Sequence, residues 1–142
     1  MEKVVTNELL GAECDVLALE AVKLLLEKLA GDVRMFDVRG YTSVTDYYVN
    51  ATGRSATHVA SLAEDLSDNF SARGAAPLRI EGKRGNSWIL VDFSQLIVNI
   101  FDKESRDFYS FDRLLPAECE KSTEEAVKFV DEKFKLNNNS EE

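Results

Sequence analysis

The sequence predicts an α/β fold: a single domain with a five-stranded mixed sheet flanked by helices. Three observations carry this expectation. Apolar residues recur at helical spacing in two long segments. Five short runs rich in Val, Ile, Phe and Tyr are bounded by Gly, Pro, Ser or Thr. The length, 142 residues at 44% hydrophobic and 30% charged, suits one domain whose core needs neither metal nor disulfide.

The first helix is expected over residues 15–30. Ala18, Val22, Leu25 and Leu29 share one stripe, Leu24 and Leu26 widen it, and Gly31 acts as a C-cap. Residues 2–13 form at most a loose turn. Val33 to Val38 and Thr45 to Ala51 read as strands, the second broken by Thr52-Gly53. Ser55 caps a second helix that aligns Val59, Leu62, Ala63, Leu66 and Phe70 and ends near Arg73-Gly74. Pro77 and Gly82 bracket a short strand at Leu78 to Glu81. Trp88 to Phe93 and Leu96 to Phe101 are strands separated only by Ser94-Gln95, which implies an antiparallel hairpin. Asp102 caps a helix with Phe108, Phe111 and Leu115 on one face, stopped by Pro116. A capping box, Ser122-Thr123-Glu124-Glu125, opens a last helix with Val127, Val130 and Phe134 inward. The tail from Asn137 to Glu142 is polar and expected to fray. These elements divide the chain into an α/β domain at 1–116, with its core at 33–115, and a C-terminal helix and tail at 117–142.

A two-residue turn pairs Asp92 with Ile97, Leu90 with Asn99 and Trp88 with Phe101. One hairpin face is then Ile89, Val91, Phe93, Leu96, Val98 and Ile100, all apolar and expected beneath helices. The other is Trp88, Leu90, Asp92, Ile97, Asn99 and Phe101. Two readings of this second face stand side by side. A helix covers it and satisfies Asp92 and Asn99 by hydrogen bonds, or it is an exposed aromatic patch that binds another protein. Asp46, Tyr48 and Asn50 share one face of the second strand, with Tyr47 and Val49 on the other. Asp46 either extends the patch or accepts a hydrogen bond at the strand start.

Little else points to chemistry. His58, the single histidine, lies early in the second helix, and Ser55 is explained as its cap rather than a nucleophile. Gly40 and Gly53 form no phosphate-binding motif. Nucleotidyl transfer needs convergent carboxylates, yet Asp46 is followed by Tyr47-Tyr48. Cys14 and Cys119 form no C-x-x-C and read as reduced thiols. Asn138-Asn139-Ser140 fits a glycosylation acceptor, but Met1 to Val5 has no signal-peptide design, so the chain is expected to be cytoplasmic and the acceptor unused. No run of roughly 18 apolar residues suggests a membrane span. The net charge of −9 opposes binding to phosphate backbones, and the densest basic group is only Arg79, Lys83 and Arg84. The expected partner is a basic protein, with no cofactor, no metal and no direct sequence-specific nucleic-acid contact.

Six motifs in order resemble the ribosomal silencing factor family, also called RsfS or Iojap. They are Ser43 with Thr45-Asp46-Tyr47-Tyr48-Val49; Gly53-x-Ser55 with His58-Val59; Ile80-Glu81-Gly82; Trp88-Ile89-Leu90-Val91-Asp92-Phe93; Val98-Asn99-Ile100-Phe101; and Arg106-x-Phe108-Tyr109. The similarity runs from about Asp37 to Leu115. It implies a fold like that of nucleotidyltransferases without the catalytic acids, and a non-enzymatic role. It also implies binding to the large ribosomal subunit through ribosomal protein L-fourteen. The outcome is a block to small-subunit joining when nutrients are short, or, in organelle relatives, help in large-subunit assembly. The free protein of this family is commonly a homodimer. Trp88 and Asp92 fall on the family's characteristic surface strand. Asn99 stands where the family usually has His, Ser94-Gln95 replaces a Gly-Asp turn, and Leu115 stands where a Trp is frequent.

Overall fold

The computed structural model describes residues 5–82 and 84–139. Lys83 of the basic group, Ser140 of the acceptor triplet and the end of the tail lie outside them. The described residues run α1 (Cys14–Glu27), β1 (Gly31–Asp37), β2 (Tyr47–Gly53), α2 (Ala56–Ala72), β3 (Arg79–Gly82), β4 (Trp88–Asp92), β5 (Leu96–Asp102), α3 (Lys103–Tyr109), β6 (Glu120–Lys121) and α4 (Glu124–Asn139).

Among the described residues, six strands rather than five form one mixed sheet in the order β3-β4-β5-β2-β1-β6. The extra strand, β6, pairs antiparallel with β1 at Met35 and Phe36. It consists of two exposed charged residues, so it carries no apolar alternation that a pattern reading would register. The central pair, β2 and β5, is parallel; the other neighbours are antiparallel. Among the described residues no helix is long and apolar enough to cross a membrane.

The main core lies between one sheet face and helices α1 and α2. Val59, Leu62, Ala63, Leu66 and Phe70 are buried there, as their spacing predicts. All six residues of the apolar hairpin face join them. The hairpin register is the expected one, with Asp92 opposite Ile97, Leu90 opposite Asn99 and Trp88 opposite Phe101. Its Ser94 adopts a positive φ of 74° although it is not glycine. Asp92 holds it by accepting from the Ser94 N–H at 2.7 Å, and the Thr45 hydroxyl donates to the Ser94 carbonyl at 2.9 Å.

The ends of α1 and α4 differ from the sequence reading. α1 stops at Glu27, and Leu29, not Gly31, takes the left-handed conformation, with φ 66°. The Ala30 N–H reaches the Leu25 carbonyl and the Leu29 N–H the Leu26 carbonyl, a Schellman closure that leaves Leu29 exposed rather than on the core stripe. In α4, Ala126 is buried, whereas Val127 and Phe134 are exposed. That helix lies on the outer side of α1, with Lys133 paired to Glu27 at 2.9 Å and Lys23 over the Phe129 ring. It also continues through Asn139, past the expected start of the polar tail.

Gly53 does not break β2; it is the strand's last residue. A Cβ there would lie 2.6 Å from Val59 Cγ2 and 2.9 Å from the Val59 nitrogen. The strand therefore meets the first turn of α2 at a distance only glycine permits. Ser55 caps that turn by accepting from the His58 N–H at 3.1 Å. The His58 ring accepts from the Arg54 N–H through Nδ1, so its Nε2–H donates to the Lys28 carbonyl at the end of α1, at 2.9 Å. Gly53→Ala is expected to destabilise the protein by about 2 kcal/mol or more, because backbone as well as side chain must shift. Urea unfolding at equilibrium measures it.

Candidate functional site

The second sheet face is built by alternation along three neighbouring strands. β4 presents Trp88, Leu90 and Asp92; β5 presents Ile97, Asn99 and Phe101; β2 presents Tyr48, Asn50 and Thr52. The parallel register sets Asn50 directly beside Asn99 and Tyr48 beside Ile97. α3 and the turn after it lie over one end of this face. Asp102 caps α3 by accepting from the Ser105 N–H at 2.7 Å, as expected. The helix ends at Tyr109, because Ser110 turns left-handed with φ 51° and ψ 40°. A tight turn at Phe111–Leu114 follows. This break overturns the single helical face expected for Phe108, Phe111 and Leu115, and Phe108 is 79% exposed.

A continuous line of side chains crosses the face. Trp88 Nε1 donates to Asn99 Oδ1 at 3.0 Å. Asn99 Nδ2 donates to Asn50 Oδ1 at 3.1 Å. Asn50 Nδ2 donates to Asp112 Oδ1 at 2.9 Å. Asp112 then receives Arg106 through Nε at 3.0 Å and Nη2 at 3.2 Å. Arg106 is itself buried and also donates to Thr52 Oγ1 and the Asp32 carbonyl. Burial alone would raise the Asp112 carboxyl. The hydrogen bonds from Arg106 and Asn50, with the charges of Arg106 and Arg34, outweigh it and hold the group below the usual carboxylate range.

Around this line the aromatic rings interlock. Trp88 lies 4.8 Å from the Phe101 ring, 4.9 Å from Tyr109 and 6.1 Å from Phe111. Tyr48 meets Phe111 edge-on at 5.1 Å. The structure therefore divides the expected patch. Ile97, Asn99 and Phe101 are buried, the last two completely, so they form the floor and are not open to a partner. The first of the two readings, cover with satisfied hydrogen bonds, holds for them. Trp88, Leu90, Asp92 and Tyr48 remain half-buried; a shallow hollow lies beside Trp88 and Leu90, bounded by Glu81 and Gly82, and half-buried Asp46 immediately precedes β2. Burial pushes the Tyr48 phenol up and the nearby Asp92 charge adds to it, so the two share one environment. Tyr109 and Phe111, which the sequence reading missed as site residues, complete the wall. Asn50, which the sequence reading set on the face with Asp46 and Tyr48 but not among the contact residues, is the buried partner of Asn99.

A polar cavity of about 560 Å³ lies at the far end of the line, lined by Asp32, Arg34, Thr52, Arg106, Asp112 and Arg113 among others. Its buried cation, Arg106, commits four of its five N–H donors to the bonds just described. Among the described residues no group of three or more His, Cys, Asp or Glu is placed to hold a metal ion.

A family model described as "Ribosomal silencing factor during starvation" matches residues 12–142. A ribosomal silencing factor RsfS from Haemophilus influenzae is 36% identical over 97 residues, covering 66% of this chain and 95% of that protein. A mouse protein named for mitochondrial assembly of the ribosomal large subunit is 29% identical over 108 residues, covering 74% of this chain and 46% of that protein. A crystal structure of a Chromobacterium violaceum protein superposes with a TM-score of 0.69 at 25% identity, covering 72% of this chain and 85% of that one.

Arg106→Met is expected to cost about 3 kcal/mol in urea unfolding, because it leaves the Asp112 carboxylate largely enclosed without its cation. Acid sensitivity tests a second pair. The hydrogen bond from the Arg39 side chain holds Asp37, against the opposing effect of burial, down to about 2 from 3.8. A depressed carboxyl contributes stability above its unfolded value and loses it as pH falls. Stability measured from pH 4 down to 2 should therefore fall less steeply in Asp37→Asn than in the parent.

Proposed function

We propose, because this chain belongs to the ribosomal silencing factor family, that it represses translation by docking on the large ribosomal subunit and occluding the small one. The observation that carries this reading is the half-buried aromatic face around Trp88, the chain's one tryptophan, with the half-buried carboxylate Asp92, held by Arg79 at 3.0 Å, at the other end of β4. Aromatic anchors in such a setting are typical centres of binding energy, and a polar rim supplies orientation. The partner is ribosomal protein L-fourteen, a choice that rests on the family resemblance. The −9 charge of the chain complements a basic surface and speeds encounter with it.

The contact residues are Trp88, Leu90, Asp92, Tyr48 and Asp46, with Ile97, Asn99 and Phe101 supporting them from beneath. The mechanism is occupancy: no bond is made or broken, and the bulk of the domain stands where the small subunit must seat. The free chain is a cytoplasmic homodimer in this reading. A dimer using the Trp88 face would compete with docking.

A second reading has its own support in the mouse relative, whose name records assembly of the mitochondrial large subunit. The same contact made on immature particles would assist assembly. Purified protein sedimented with isolated large subunits, followed by small subunits, separates the two. Silencing requires co-sedimentation and fewer joined ribosomes. Binding without any effect on joining supports assembly, and absence of binding contradicts silencing.

Trp88→Ala is expected to weaken large-subunit binding by about 2 kcal/mol or more, roughly thirtyfold. Binding titration of a variant shown to be folded by far-ultraviolet circular dichroism measures it; full affinity would remove Trp88 as the anchor.

A further inference from the structure

From the line of side chains between Arg106 and Trp88 we infer that Asn99 and Asn50 are positioning residues that fix the Trp88 indole in its docking orientation. The inference rests on the docking reading for its consequence, but its geometry is independent of any partner.

The two ends of the line determine its direction. An indole nitrogen only donates, so Asn99 must turn its oxygen toward Trp88. The Asn99 nitrogen must then face Asn50, whose oxygen accepts and whose nitrogen is left for Asp112. An ionised carboxylate only accepts, which closes the series without a conflict. Both amides are completely buried, so reversing either one would set like groups against each other with no water to relieve them. Trp88 itself is only half-buried. A tryptophan so placed ordinarily has the choice of bonding its N–H to water in several rotamers. Here the N–H is tied inward and the ring is held among Phe101, Tyr109 and Phe111. The ring then presents apolar surface with little rotamer freedom left to lose on binding.

The same turn serves both halves of the arrangement. Asp112 ends the hydrogen-bonded line, and its neighbour Phe111 packs on Trp88 and Tyr48. The Arg106–Asp112 pair therefore anchors the segment that walls the indole as well as the acceptor that orients it.

The single tryptophan makes the test direct, since one indole N–H resonance and one fluorophore report this position alone. In the unaltered protein the indole proton should exchange slowly with water. Rapid exchange would overturn the inference without any variant having to fold. In Asn99→Leu, and to a smaller degree in Asn50→Leu, that exchange should quicken, fluorescence anisotropy should fall, and affinity for large subunits should drop by roughly fivefold or more. Unchanged exchange and anisotropy in a folded Asn99→Leu protein would overturn the positioning role. Spectral release of Trp88 with undiminished binding would overturn its consequence for docking. Full binding by Trp88→Ala would instead refute the docking reading itself, while the spectral result would still show whether the amides hold the ring.

Discussion

The pairing of Asn50 with Asn99 across the parallel strands β2 and β5 is the constraint on which the rest of the second face depends. Two completely buried amides can be accommodated only if each satisfies the other and their remaining groups find partners. A one-residue slip of β2 against β5 would set Val49 or Ala51 beside Asn99 and leave both amides unmatched. The pair therefore specifies the register of the central strands in a way the apolar face, where Val49, Val98 and Ile100 are similar in shape, does less sharply. Everything outward follows from that register: Trp88 receives an acceptor on one side, and Asp112 a donor on the other. The charge at the end of the line is tolerated because Arg106 is buried with it and is satisfied by three separate groups.

This polar spine also explains why the domain is two-sided. The face toward α1 and α2 is an ordinary dry core. The opposite face is only partly covered, by a seven-residue helix and a tight turn, so its aromatic residues form a floor of buried rings and a rim of half-exposed ones. A surface of that kind is rigid before it meets a partner, which favours binding by limiting the entropy lost on association. Occlusion as a mechanism asks for such a surface and for a compact body behind it, rather than for reactive groups.

Much of the fold was legible from periodicity. The α2 stripe, the hairpin register and the caps at Ser55 and Asp102 all appear as their residues predict. What escaped was governed by contacts that periodicity does not encode. β6 forms because Glu120 and Lys121 meet β1, not because of their own propensity. Gly53 reads as a breaker until Val59 is seen against it. α3 ends at Tyr109, where Ser110 turns left-handed and Arg106 bonds Asp112 beyond the break, so Phe111 leaves the helical face on which its spacing would put it. In the candidate site, alternation identified which residues share a face, but not depth: Ile97, Asn99 and Phe101 share that face with Trp88 yet lie beneath it. The roof of Tyr109 and Phe111 comes from a segment whose path no local pattern reveals.

Hydrogen–deuterium exchange of the protein with and without isolated large ribosomal subunits tests most directly that the Trp88 face is the docking surface. Protection concentrated in β4 and in the segment from Tyr109 to Leu114, with α1 and α4 unchanged, is the expected result. Protection confined to α1 and α4, with β4 exchanging as in the free protein, would contradict it.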